Sequence, residues 1–159
     1  MMSELQNKFM AEAIRLAGLN IENGNGGPFG AVIVKDGQII ARGSNHVTIW
    51  NDPTAHAEVV AIREACKQLD SFQLDGCEIY CSCEPCPMCL GAIYWARPAK
   101  VYFAAGREDA AKAGFDDNFI YEEINVPIEK RSIPTHQFMR QEAIEIFKHW
   151  VKSDVKIPY

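Results

Sequence analysis

The 159-residue sequence holds no apolar run approaching the length of a membrane span. Its opening, Met1-Met2-Ser3-Glu4, lacks the basic and apolar regions of a secretory leader, so a cytoplasmic location is expected. Positive charge is also scarce. Sixteen Lys and Arg face 21 Asp and Glu, a net charge of -5. A surface that grips duplex or tRNA normally needs a basic patch, so this balance argues against a nucleic-acid partner. There are no internal repeats and no low-complexity tracts. The one glycine-rich stretch, Asn23-Gly24-Asn25-Gly26-Gly27-Pro28, lacks the Lys-Ser/Thr of a phosphate-binding loop and leads into a strand pattern, so it reads as a turn. With 48% hydrophobic and 23% charged residues, the chain is an ordinary globular one, of the length of one domain.

What the sequence does have is a cluster of six cysteines, at positions 66, 77, 81, 83, 86 and 89. In a cytoplasmic chain such clustering suggests metal rather than disulfides. Two short stretches then stand out: His56-Ala57-Glu58, and Pro85-Cys86-Pro87-Met88-Cys89. One His and two Cys make three zinc ligands, one short of a tetrahedron. A structural site closes its shell with four protein ligands, whereas a catalytic site leaves room for water. The pattern H-x-E … P-C-x-x-C is the signature of zinc nucleobase deaminases, in which Glu acts as acid and base rather than as a ligand. Cys81 and Cys83 alternate on a strand and read as buried small residues.

The elements follow from periodicity. Leu5, Phe9, Ile14, Ala17 and Ile21 predict an amphipathic helix over 4–22. Phe29–Lys35 and Gln38–Gly43 predict two strands joined by Asp36-Gly37, a hairpin turn that needs positive φ twice. Asp52 or Thr54 is expected to cap a helix that carries His56 and Glu58 near its start and buries Val59, Ile62, Cys66 and Leu69. Gly76–Cys83 reads as a third strand, Pro87–Ala96 as a helix with both thiols in its first turn, and Ala99–Ala105 as a fourth strand parallel to the third. Gln137–Lys152 predicts a last amphipathic helix, followed by a polar tail. This alternation specifies an α/β chain, a three-layer α/β/α sandwich with a mixed central sheet. From pattern alone Asn45 reads as a turn residue ahead of the alternative that its carboxamide recognises a base edge, Asp116-Asp117 is either a helix cap or a pair of acceptors for purine N–H groups, and the tail is expected to be disordered.

The sequence resembles the cytidine deaminase superfamily and, within it, the short guanine deaminases of bacterial type. The likeness runs through Gly27–Val34, Asn51–Glu58, Glu84–Arg97, Ala113–Asp117 and the terminal Tyr159. The resemblance implies a cytidine deaminase-like fold over 1–152, with 153–159 exchanged onto the partner of a homodimer. It implies one zinc per subunit on His56, Cys86 and Cys89, with Glu58 as the proton shuttle. Phe29, Ala57 and Trp95 would help form the base pocket, Asn45 and Asp117 would bond the purine, and Tyr159 would line the neighbour's pocket. The implied reaction is hydrolysis of guanine to xanthine and ammonia, with zinc making water acidic enough for hydroxide to add to C2. Rival expectations are deamination of guanosine, cytosine or tRNA adenosine and, furthest away, a zinc-stabilised module without turnover.

Overall fold

A computed structural model describes residues 2–159, which form two compact units, one reaching to Asp117 and the other Asn118–Tyr159. The first unit begins with helix α1 (Glu4–Glu22). Ser3 and Gln6 close its start as a reciprocal capping box. Its buried face is Phe9, Ala13, Ala17 and Asn20, whereas Leu5, Ile14 and Ile21 are exposed. Phe9 and Ala17 hold their expected place, and the rest of the expected apolar stripe is corrected. The reason lies in strand β1 (Gly30–Lys35): a Cβ on Gly30 would collide with the Ala13 carbonyl and the Ala17 nitrogen. Helix and strand meet backbone to backbone, so only small side chains fit the contact.

Strand β2 (Gln38–Ser44) pairs antiparallel with β1 through Asp36 (φ 50°) and Gly37 (φ 74°), the two positive angles the hairpin requires. Strand β3 (Glu78–Cys83) lies antiparallel on the other side of β1, and β4 (Lys100–Ala105) runs parallel to β3. The sheet order is β2-β1-β3-β4. A one-turn helix that periodicity could not reveal, α2 (Val47–Trp50), follows β2. Then come α3 (Ala57–Leu69), α4 (Pro87–Ala96) between the parallel strands, and α5 (Arg107–Lys112).

Alternation along β1 sorts the core into two layers. Val32 and Val34 meet Phe9 and Tyr80 on the α1 side. Ala31 and Ile33 meet Ala61, Ala65 and Ile93 on the side of α3 and α4. A central strand buried on both faces is why this segment reads as an unbroken apolar run. The expected stripe of α3 also needs correction. Ala57, Ala61 and Ala65 are the buried line, Ile62, Cys66 and Leu69 flank it, and Val59 is half-buried. The cause is Gly43, where a Cβ would strike the Ala57 carbonyl and the Ala61 nitrogen.

The second unit contains α6 (Asn118–Asn125), a 3-10 turn (Ile128–Lys130) and α7 (Arg140–Lys152). Residues 137–139, expected to be helical, are not; Met139 has φ 55° and α7 starts after it. Phe138, Ile146, Phe147, Trp150 and Val151 are exposed, and no residue of this unit is buried. Among the described residues no helix is long and apolar enough to cross a membrane.

Candidate active site

Two helix starts build the centre. His56 is the N-cap residue of α3, Cys86 the N-cap residue of α4, and Cys89 lies in the first turn of α4 behind Pro87. Proline suits that first position because its missing N–H would have had no helical partner. Neither Asp52 nor Thr54 caps α3. Asp52 instead accepts hydrogen bonds from the Thr54 N–H (2.8 Å) and hydroxyl (2.7 Å), which closes a turn upstream. His56 makes no side-chain cap bond either; its imidazole turns to the two sulfurs.

His56 Nδ1 lies 3.5 Å from Cys86 Sγ and 3.5 Å from Cys89 Sγ. All three ligand atoms fall within 4.8 Å of one another. Zinc bonds of 2.3 Å to sulfur and about 2.0–2.1 Å to nitrogen, at a tetrahedral angle, put S and N about 3.6 Å apart. The residues therefore fit zinc, and with three donors they leave one position open. One of the two thiols already favours a negative charge. A hydrogen bond from the Cys89 thiol, reinforced by His56, holds Cys86 down at about 4, against the opposing cost of burial. The same bond pushes Cys89 upward, and burial adds to it, so the metal-free pair shares one proton. The bond to Cys86 raises His56 in turn. Cys81 and Cys83 are buried bystanders; the Cys83 thiol donates toward the Gly106 carbonyl at 3.7 Å.

Glu58, only 8% exposed, follows one turn position after Ala57 and reaches the same space. Burial raises its carboxyl above the usual range, and the Cys86 sulfur adds to the rise. A cavity of about 710 Å³ opens in front, lined by His56, Glu58 and Cys86 together with Phe29, Asn45, Phe115 and Asp117. Phe29 meets Phe115 edge to face, with ring centroids 4.9 Å apart. Burial, and then the Cys86 charge, raises the Asp117 carboxyl.

Asn45 is fixed in polarity. Its Oδ1 accepts the N–H groups of Gly27 (3.4 Å) and Val47 (3.3 Å). The amide nitrogen is the part left for a ligand in the cavity that Asn45 lines. Of the other expected residues, Ala57 is buried in the core under α3. Trp95 is 64% exposed on α4 and is not among the residues lining this cavity. Tyr159 lies exposed in the second unit. Phe115, Ile21 and Arg107 line the cavity without having been singled out. For Phe115 a signal existed, its place beside Asp116-Asp117; for Ile21 and Arg107 there was none.

Comparison with known proteins agrees with this geometry. Residues 3–105 match the family described as "Cytidine and deoxycytidylate deaminase zinc-binding region". The chain is 61% identical over 142 residues to the guanine deaminase of Bacillus subtilis, covering 89% of this chain and 91% of that one. The crystal structure of a B. subtilis guanine deaminase superposes with a TM-score of 0.95, at 57% identity and 99% coverage of both chains. A guanine deaminase from Nitrosomonas europaea is similar at a TM-score of 0.67 and 34% identity, over 74% of this chain and 66% of that one. A tRNA-specific adenosine deaminase of Aquifex aeolicus is 47% identical over 97 residues, 61% of this chain and 64% of its own.

Proposed function

The chain belongs to the cytidine and deoxycytidylate deaminase family, and from that premise we propose that it is a zinc-dependent aminohydrolase that converts guanine to xanthine with release of ammonia. The observation that carries this reading is one cavity that joins a three-ligand zinc set, a buried carboxyl at Glu58, and a matched donor and acceptor at Asn45 and Asp117. His56, Cys86 and Cys89 would hold the zinc, which would supply the Lewis acidity that makes water reactive near neutral pH.

Glu58 does the proton work. It takes a proton from the attacking water and returns it to the ring nitrogen beside C2, relieving the charge that develops as the C–O bond forms. It then passes the second proton of that water to the departing amine, the C–N bond breaks, and ammonia leaves. Phe29 and Phe115 offer ring surfaces to a flat base. The Asn45 amide N–H group donates to the acceptor edge of the purine, and Asp117 accepts from its N–H edge. Adenine reverses part of this pattern and would leave buried polar groups unpaired.

Three further parts of the reading concern assembly and place. The protein acts as a homodimer that exchanges C-terminal segments, including 153–159, so that Tyr159 closes the partner's pocket. A second unit with no buried residue and an exposed apolar face on α7 supports this. Trp95 joins the aromatic wall in that assembly. Six free cysteines favour the reducing cytoplasm.

The test is ammonia release by zinc-loaded protein with guanine, guanosine, cytosine, adenine and tRNA side by side. Guanine well ahead is the expected result. A preference for tRNA would turn the reading toward adenosine deamination, which the A. aeolicus relative keeps in view; no release from any of the five would overturn it.

A further inference from the structure

Helix α1 contributes a buried polar side chain for which the chemistry above has no use. Asn20 is 2% exposed, on the helix face otherwise made of Phe9, Ala13 and Ala17. Its amide nitrogen donates to two main-chain carbonyls, that of Gly27 at 2.8 Å and that of Asn45 at 2.9 Å. These carbonyls belong to the two segments that frame the base-binding carboxamide. The Gly27 N–H is also one of the two donors that hold Asn45 Oδ1. Gly26 presses on the same group: a Cβ there would lie 2.6 Å from the Asn45 carbonyl oxygen and 2.9 Å from Oδ1.

We propose that Asn20 is a positioning residue for base selection: by clamping Gly27 and Asn45 together it fixes the Asn45 carboxamide with its oxygen on the backbone and its NH₂ toward the base. Without the clamp the Gly27 N–H can move away from Oδ1, which leaves the Val47 N–H as its remaining backbone donor and lowers the cost of turning the amide. The NH₂ orientation accepts a 6-oxo purine and disfavours a 6-amino purine; the turned orientation does the reverse. Asn20 touches neither base nor zinc. It acts through Asn45, and the proposal rests on the guanine reading given above.

Two side-chain changes separate the clamp from mere stability. Asn20→Ala removes both donors. Phe9→Leu trims the same helix face far from the turn, where Phe9 packs edge-on against Tyr80 at 5.4 Å. The readouts are zinc content, Tm, KM and kcat for guanine, and equilibrium dissociation constants for hypoxanthine (6-oxo) and adenine (6-amino). Asn20→Ala is expected to raise KM about tenfold with a smaller change in kcat, and to narrow the preference for hypoxanthine over adenine by about the same factor, the worth of one oriented hydrogen bond. Phe9→Leu is expected to lower Tm and leave that preference intact. Asn20→Ser, which keeps one donor, covers the case in which Asn20→Ala does not fold and should fall between. An unchanged hypoxanthine-to-adenine ratio in a folded Asn20 variant, or an equal shift in Phe9→Leu, overturns the clamp. Wild-type protein that does not deaminate guanine overturns the underlying reading instead, which the ratio measured by binding alone keeps separate.

Discussion

The two units of this chain are built on opposite principles. In residues 2–117 the layers close on each other. Val32, Ile33 and Ala31 are wholly buried, helices pack on both faces of β1 and β3 while the edge strand β4 stays largely exposed, and the candidate metal ligands sit at the starts of α3 and α4. In residues 118–159 no residue is buried, and α7 shows Ile146, Phe147 and Val151 to solvent. A segment of that size with no core does not hold itself together by apolar burial. On the function proposed above this is a division of labour: the first unit would carry the reaction, and the second would cover a surface of a second copy.

Four changes break or sharpen that contrast. The largest effect belongs to Glu58→Gln, confined to the first unit. Turnover of guanine should fall by about 10²–10⁴-fold, the usual worth of a positioned acid–base group, while zinc content by metal analysis and oligomeric state stay as in wild type. Retained turnover would remove Glu58 from the mechanism. Next comes Phe147→Glu on α7, confined to the second unit. Association of two copies should weaken by about 2–4 kcal/mol, read by sedimentation equilibrium, with zinc retained by the first unit. A variant that stays as tightly dimeric as wild type would mean that this face of α7 covers nothing.

Asp117→Ala, at the end of the first unit, should leave guanine donors unpaired. KM is expected to rise by one to two orders of magnitude, about 1–3 kcal/mol, with little change in metal content. The smallest effect concerns Glu12, which pairs with Arg15 in its own helix (2.7 Å) and ties α1 to β2 through Arg42 (2.8 Å). The hydrogen bond from Arg15, with Arg42 adding to it, lowers its carboxyl from 4.5 to about 2. A depressed folded-state pKa adds stability above the unfolded value, and that stability is lost as pH falls through the folded one. Glu12→Gln should therefore lower the urea midpoint slightly at neutral pH, because both arginines are largely exposed. The difference from wild type should shrink between about pH 4.5 and pH 2. An equal gap at pH 7 and pH 2 would show that the bridge is not its source.

Much of the first unit was legible because its signals are local. Asp36-Gly37 fixes a hairpin through backbone angles, and His56, Cys86 and Cys89 announce themselves by residue type and spacing. Amphipathic stripes were less legible wherever a helix rides on a glycine. Periodicity counts large apolar residues and so favoured Ile14, Ile21 and Val59, whereas the contact itself selects Ala13, Ala57 and Ala61, with Ala17 on both lists. The caps failed for a related reason. Asp52 and Thr54 have the right chemistry for α3, but they satisfy each other before the helix begins. The polarity of Asn45 is invisible in sequence, because it depends on N–H groups from residues 27 and 47 meeting one oxygen. Asn20 gave no signal at all: one Asn on a helix looks like surface until the turn folds over it.

Gly43 carries a consequence that reaches past packing. It stands on β2, contributes no side chain, and lets the first turn of α3 rest on the strand at Ala57 and Ala61. Ala57 stands between His56 and Glu58, and Ala61 follows three residues after Glu58. Any side chain at position 43 has to lift the start of the helix, and the imidazole and the carboxylate would rise with it while Cys86 and Cys89 stayed on a separate helix. The tolerances of the metal centre are thus set at a distance by a hydrogen atom, and heritable change at position 43 would be filtered as severely as change at a ligand.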